Sequence, residues 1–510
     1  MSRFDKARRA LHTYLCACTR WIRPMVMRCA GGALALAGAG LIAAGAASGA
    51  SAISATPTAG HYTGTLADGA AWIADVPATW NGTLLLYSHG YGPLNAQDAP
   101  DPATQAELLS EGYAMAGSSY DPHGSWWALG SAVRDQFQTL STVEQTVLKT
   151  TPQRVYAFGT SMGGLISALE DQNSDGRLNG ALTTCGIVAG GANMNQYQLE
   201  GEWAISRLLA PGQNIQLTNF KSGVSGGFAD SAAAANQLLA AGNAAQQTPQ
   251  GRARLALGLA FLNVSPWGGA TAPSIYDYAG QEQGQYEDYF TGGPGSALAF
   301  IMEGRDQIEL AAGGEAGGTV GVDFAELLHR SSYYPEVKAL YNEAGLSLRD
   351  DLQTLTSDAN LRANPRALRW LQQTSAPNGR LQVPELDLKT ISDQLVPVQQ
   401  ENYYHALVAR AGDRGLLRQA FVDAQGHCNF TPAELVAGVH ALATRVSTGS
   451  WDGLTSSTAL NAAADSLPTA LKGGAFLPFW PDRLTGVPSP FTHHFGRRLP
   501  FTHHSGRRLF

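Results

Sequence analysis

The chain has 510 residues, 44% hydrophobic and 15% charged, an ordinary globular balance that excludes an extensively disordered protein. That length exceeds one compact core and calls for a large domain with an insertion, or for two domains. The net charge of −7 conceals a more acidic body: residues 53–489 hold 23 basic and 40 acidic side chains, a balance of −17, so no nucleic-acid partner is expected.

Seven Lys and Arg residues lie within 1–28, and the apolar run Ala30–Ala44 follows them. Ala50-Ser51-Ala52 then fits the small-x-small cleavage rule. Residues 1–52 therefore read as a signal peptide, implying an extracellular or periplasmic protein with no stable membrane span after cleavage. A membrane anchor is the competing reading. Met25 and Met27 would each begin a more typical signal. Cys16, Cys18 and Cys29 fall inside this segment, which leaves Cys185 and Cys428 in the mature chain. Two cysteines in an oxidising compartment can form one disulfide, and two free buried thiols are the alternative.

Residues 61–88 read as short strands joined by turns, with Asn81-Gly82 as a turn signal. Thr83–Ser88 is an unbroken apolar run, the pattern of a strand buried on both faces. A helix is predicted near 102–111, a strand from Tyr113, a helix over 131–149, and a buried strand over Arg154–Phe158. That strand runs into Gly159-Thr160-Ser161-Met162-Gly163 and an apolar helix. A further strand is predicted over Leu178–Val188. Alternating strands and helices imply a mostly parallel sheet flanked by helices.

From 191 to 378 the pattern changes to Ala/Leu/Gln-rich helical stretches, which read as a mainly helical insertion. Trp203, Trp267, Tyr276, Tyr278, Tyr286, Tyr289, Phe290, Tyr333 and Tyr334 are scattered through it. Strand patterning resumes over Leu381–Thr390, followed by a helix near 398–411 and a strand over Leu416–Val422. Thr431-Pro432-Ala433-Glu434 is a capping box with Pro at the first helical position, opening a helix to about Val446. The segment 448–489 carries no clear pattern. Residues 490–499 recur almost unchanged as 500–509, a low-complexity tail whose His pairs are not read as a metal site.

The chemistry centres on Ser161. In G-x-S-x-G a sharp strand-to-helix turn presents the serine hydroxyl to a base, and the glycines permit the strained backbone. The amino-terminal N–H groups of the following helix favour a developing oxyanion. Ser88-His89-Gly90-Tyr91-Gly92 follows the first buried strand. With these motifs the chain resembles the α/β-hydrolase family of serine esterases and lipases, over about 61–190 and 380–447.

The resemblance implies an α/β-hydrolase fold with a large cap and two oxyanion-hole donors, the backbone amides of Tyr91 and Met162. The family order of Ser, acid, His places the acid at Asp393, in Thr390–Pro397 after a predicted strand, with Asp387 as its rival. It places the base at His427 in Gln425-Gly426-His427-Cys428. His405 and His440, on helices, read as surface residues, and His89 as structural. A Cys185–Cys428 bridge would steady the histidine loop. Tannases and feruloyl esterases carry a cysteine after the histidine too, but their partner cysteine adjoins the nucleophile, where this chain has Thr160. Gly117–Asp121 and Trp126-Trp127 resemble loops of secreted bacterial esterases and prolyl-peptidase-like hydrolases.

The resulting expectation is a secreted serine hydrolase cleaving small-molecule or polymeric esters through an acyl-enzyme, with no cofactor and no metal. A peptidase or amidase using the same triad, and a catalytically silent binding module, are the alternatives. The expected organisation is a signal at 1–52, a catalytic domain at 53–190 and 379–447, a cap at 191–378, an extension at 448–489 and the tail at 490–510.

Overall fold

The computed structural model describes residues 57–121 and 124–486; the candidate signal peptide and the repeated tail lie outside the described residues. Among the described residues nine strands form one sheet: β1 (Gly60–Thr65), β2 (Ala71–Val76), β3 (Thr83–Ser88), β4 (Ala114–Ser118), β5 (Arg154–Thr160), β6 (Gly180–Thr184), β7 (Glu385–Ser392), β8 (Leu417–Gln425) and β9 (Phe476–Leu477). Their spatial order is β1-β2-β4-β3-β5-β6-β7-β8-β9. The six strands from β4 through β3, β5, β6 and β7 to β8 pair in parallel, while β1, β2 and β9 add antiparallel edges. This order, with helices on both faces, is the α/β-hydrolase fold.

The apolar runs are buried because helices cover both faces. Leu85 and Tyr87 of β3 pack in one cluster with Val436 and Leu442 of the helix Pro432–Thr448. Leu84 and Leu86, pointing the opposite way, pack with Phe137 and Leu140 of the helix Ala132–Val143. The capping box at Thr431 forms in both directions, Thr431 Oγ1 accepting from the Glu434 amide and the Glu434 carboxylate from the Thr431 amide.

Two boundaries differ from the sequence reading. β6 ends at Thr184, because Cys185 turns to a positive φ of 45° and leaves the sheet. β7 starts at Glu385, after Pro384, which has no N–H for a central ladder. Within the span read as a C-terminal extension, the helix Ser457–Asp465 packs on the helix Pro432–Thr448, and β9 joins the sheet by pairing with β8 through Phe421–Leu477 and Val422–Phe476.

Between β6 and β7 stand nine α-helices, from Gly191–Leu209 to Pro365–Thr374. They enclose their own core, including Trp203, Leu238, Leu257, Phe261, Phe290 and Phe324. A fully buried Arg305 pairs with Glu202 inside it and donates to the Leu217 carbonyl at 3.2 Å. Ser392 at the end of β7 joins the insertion to the sheet, donating to the Trp267 carbonyl at 2.9 Å and lying within hydrogen-bond reach of Ser265 Oγ at 2.8 Å.

Candidate active site

Ser161 occupies the turn between β5 and the helix Met162–Gln172, with φ 62° and ψ −120°. An L-residue holds this conformation only where its surroundings enforce it. Its amide donates to the Thr184 carbonyl at 2.9 Å, and its carbonyl accepts from the Gly164 amide at 2.9 Å. The two motif glycines make the turn sterically possible. A Cβ on Gly159 would stand 1.9 Å from the Gly163 carbonyl oxygen, and one on Gly163 would stand 1.8 Å from the Ser88 carbonyl oxygen.

The histidine loop follows β8. Its Gly426 amide donates to the Ser392 carbonyl at 2.6 Å, and Thr390 Oγ1 donates to the Gly426 carbonyl at 3.0 Å. Both anchors lie at the end of β7, so that strand and the His427 loop are held as one unit. The Cys185–Cys428 disulfide ties the same loop to the end of β6, across a Cα separation of 5.3 Å. Because Cys185 and Cys428 are bonded to each other, neither offers a thiolate to a metal beside His427.

His427 Nε2 lies 2.7 Å from Ser161 Oγ, and its Nδ1 lies 2.8 Å from Asp393 Oδ2. The Leu395 and Val396 amides donate to Asp393 Oδ1 at 3.0 and 2.9 Å. Burial alone would raise the Asp393 carboxyl. The neighbouring His427 and Lys389 charges and these hydrogen bonds outweigh it and hold the group below the usual carboxylate range. Such a carboxylate fixes the imidazole tautomer with Nδ1–H toward Asp393, leaving Nε2 free to accept the serine proton.

The structure thus brings Ser161, His427 and Asp393 together and keeps the other candidates apart. Asp387 accepts from Thr183 Oγ1 at 2.9 Å and Gln419 Nε2 at 3.2 Å, on the inner part of β7. His89 stacks on Tyr120 with ring centroids 4.2 Å apart, and burial pulls its pKa down to about 4, so it is a neutral structural residue. His440 pairs with Glu111 at 2.7 Å, and His405 packs edge-on against Trp480. Met162 is the first residue of the elbow helix, so its amide has no intrahelical acceptor. A Cβ on Gly90 would fall 3.2 Å from Ser161 Cβ, so the chain leading into Tyr91 passes directly beside the serine.

A cleft of about 440 Å³ of empty space, partly open to solvent, adjoins the triad. Ser161, His427 and Tyr91 stand at it together with Trp127, Ile187, Met194, Phe300, Ile301, Gly304 and Ile308. Phe300, Ile301, Gly304 and Ile308 share one face of the helix Ala297–Ala312, at the spacing of successive helical turns. None of the nine insertion aromatics singled out in the sequence lines this cleft. Trp203, Tyr289 and Phe290 are core of the insertion, and Tyr276 is exposed. Phe300 is missed because one aromatic on an ordinary helix gives no local signal. Lys389, fully buried and 3.0 Å from Asp393 Oδ2, is missed because its alternation with Glu385 and Asp387 along β7 reads as an ordinary polar face and carries no motif.

No family model matches the chain. An o-phthalyl amidase of Xanthobacter agilis is 28% identical over 428 residues, 80% of this chain and 91% of that protein. Among solved structures, a rice cell wall degrading esterase, LipA, from Xanthomonas oryzae matches at 14% identity and a TM-score of 0.31, over 76% of this chain and 87% of that one. An esterase from Aspergillus oryzae matches at 13% identity and a TM-score of 0.36, over 75% and 77%. An acylaminoacyl peptidase from Pyrococcus horikoshii matches at 10% identity and a TM-score of 0.32, and the match spans only 38% of that chain.

Proposed function

We propose that this chain is a serine hydrolase that cleaves carboxylic esters through an acyl-enzyme on Ser161. The observation that carries the proposal is the continuous contact from Ser161 Oγ through His427 to Asp393, at 2.7 and 2.8 Å, beside an apolar cleft. Ser161 Oγ attacks the carbonyl carbon while His427 Nε2 takes its proton. The amides of Tyr91 and Met162 receive the oxyanion, each donor contributing about 3–4 kcal/mol in comparable sites. The tetrahedral intermediate collapses, and His427 returns the proton to the departing alkoxide. Water, deprotonated by His427, then attacks the acyl carbon and releases the acid and free Ser161. The lining, apolar apart from Gln198, Ser161 and His427, favours an apolar acyl or alcohol portion.

Amide cleavage is the second reading, favoured by the 28% identity with a protein named an amidase. The same proton path serves an amine leaving group, with His427 as its acid. A panel of aryl esters of increasing acyl length, run beside the matching anilides, decides between them. Ester turnover well above anilide turnover supports the esterase reading, and the reverse order replaces it. Ser161→Ala is expected to abolish both activities and fluorophosphonate labelling while leaving the circular dichroism spectrum unchanged.

Export is part of the proposal. It rests on the sequence pattern of residues 1–52 and on the disulfide, which an oxidising compartment preserves. Among the described residues no helix is long and apolar enough to cross a membrane. Amino-terminal sequencing of protein recovered outside the cytoplasm, starting near residue 53, is the expected result.

A further inference from the structure

The proton path described above runs through Ser161, His427 and Asp393 and makes no use of Lys389. Lys389 and Asp393 both lie wholly out of solvent, near the end of β7. The Lys389 ammonium group is 3.0 Å from Asp393 Oδ2, and that same oxygen faces His427 Nδ1 at 2.8 Å. The other oxygen, Oδ1, is occupied by the two loop amides. A buried lysine is rare and unfavourable unless a counter-charge holds it. Stability alone would be served by any carboxylate oxygen. Here the cation shares the oxygen that receives the imidazole.

The surrounding charges come from several elements. Asp387 stands on β7 beside Lys389, and Glu401 on the helix Gln399–Ala411. Gln419 Nε2 from β8 donates to both, at 3.2 and 2.9 Å. Burial, with Asp387 beside it, holds the Glu401 carboxyl well above its ordinary range, and the two acids share a hydrogen bond. From the insertion, Asp288 and Tyr197 face Asp393. Burial raises Asp288 to about 8 and the Tyr197 phenol higher still, which disfavours a charge on either. Among the described residues, Lys389 is therefore the standing positive charge at the acid of the triad.

We propose that Lys389 is a positioning residue of the reaction: by placing its charge on the Asp393 oxygen that receives His427, it offsets part of the carboxylate charge and keeps the imidazole available as a base at lower pH. This rests on the serine-hydrolase reading. The direction follows from electrostatics, because a nearby cation disfavours the imidazolium and an unscreened carboxylate favours it.

The test is the pH profile of kcat/KM for an activated aryl ester. Lys389→Met keeps the length and removes the charge. It is expected to move the acid limb upward by about one pH unit, so that relative activity at pH 5.5 falls about tenfold while activity near pH 8.5 changes little. Lys389→Arg, which keeps the charge, is expected to restore the limb. An equal loss at every pH with the limb unmoved would overturn the proposal. Should Lys389→Met fail to fold, the parent protein decides. The ¹⁵N ammonium resonance that is absent from Lys389→Arg should step at the pH of the acid limb, and a resonance without that step overturns the proposal. Full activity in Ser161→Ala would instead remove the serine-hydrolase reading itself. An inactive Ser161→Ala together with an unmoved limb in Lys389→Met removes only the role of Lys389.

Discussion

Asp393 joins two functions that substitution can separate. Asp393→Asn keeps the shape but loses the charge that selects the imidazole tautomer, and kcat is expected to fall by about 10⁴. It also strands Lys389 as a buried cation, a loss of about 3–5 kcal/mol. His427→Ala is expected to reduce kcat by a similar order with a much smaller change in melting temperature, since His427 is only partly buried. Comparing kcat and calorimetric midpoints of the two variants checks this, and equal midpoints would contradict it. Gly304 offers a finer probe. It lines the cleft, and a Cβ added there meets nothing within 4 Å. Gly304→Leu should therefore fill the cleft without disturbing the helix. Turnover of long or aryl acyl esters is expected to drop at least tenfold relative to acetyl esters in a competition assay.

At the level of elements, the His427 loop is held by three neighbours as well as by its own hydrogen bonds, Phe430 N–H to the Cys428 carbonyl and Asn429 Nδ2 to the Gln425 carbonyl. The end of β7 supplies two hydrogen bonds, the end of β6 supplies the disulfide, and the elbow helix brings the serine to it. The bridge closes a sequence separation of 243 residues, encompassing the whole insertion. Replacing both cysteines by alanine is expected to lower stability by about 2–4 kcal/mol in denaturant titrations. It should also slow turnover, because the loop then loses its covalent tie to the end of β6. Alkylation of the native oxidised protein after unfolding should find no free thiol at either position.

For the whole molecule, buried carboxyls set the response to pH. Burial raises Glu170 and Glu200 to about 8 and Asp171 to about 7, and one oxygen of each has no partner among the described residues. In the unfolded chain these groups ionise near ~4. Between that value and about 8 the folded state binds more protons than the unfolded one, so stability declines as pH rises. Asp393 has the opposite sign: its folded carboxyl lies below the ordinary range, and its contribution is present above ~4 and lost on further acidification. The melting temperature is therefore expected to be highest near pH 4 and to fall by several degrees between pH 5 and pH 9 by scanning calorimetry. A flat profile over that interval would show that these carboxyls are already ionised in the folded protein.

The sheet was legible in the sequence because its parallel strands are buried on both faces. That burial leaves continuous apolar runs such as Thr83–Ser88 and Arg154–Phe158 beside glycines that no other residue can replace. The elbow at Ser161 was legible for the same local reason, since a turn that admits no Cβ at positions 159 and 163 must be written in its own residues. Tertiary structure alone decided the rest. Strand β9 is two residues long and has no pattern of its own until β8 is beside it. The choice between Asp387 and Asp393 depends on which carboxylate reaches the imidazole, and the role of Lys389 on which oxygen it shares. The cleft wall depends on which face of the helix Ala297–Ala312 meets the serine. These are relations between segments far apart in the chain, and local patterning carries no record of them until the sheet and the insertion bring the segments together.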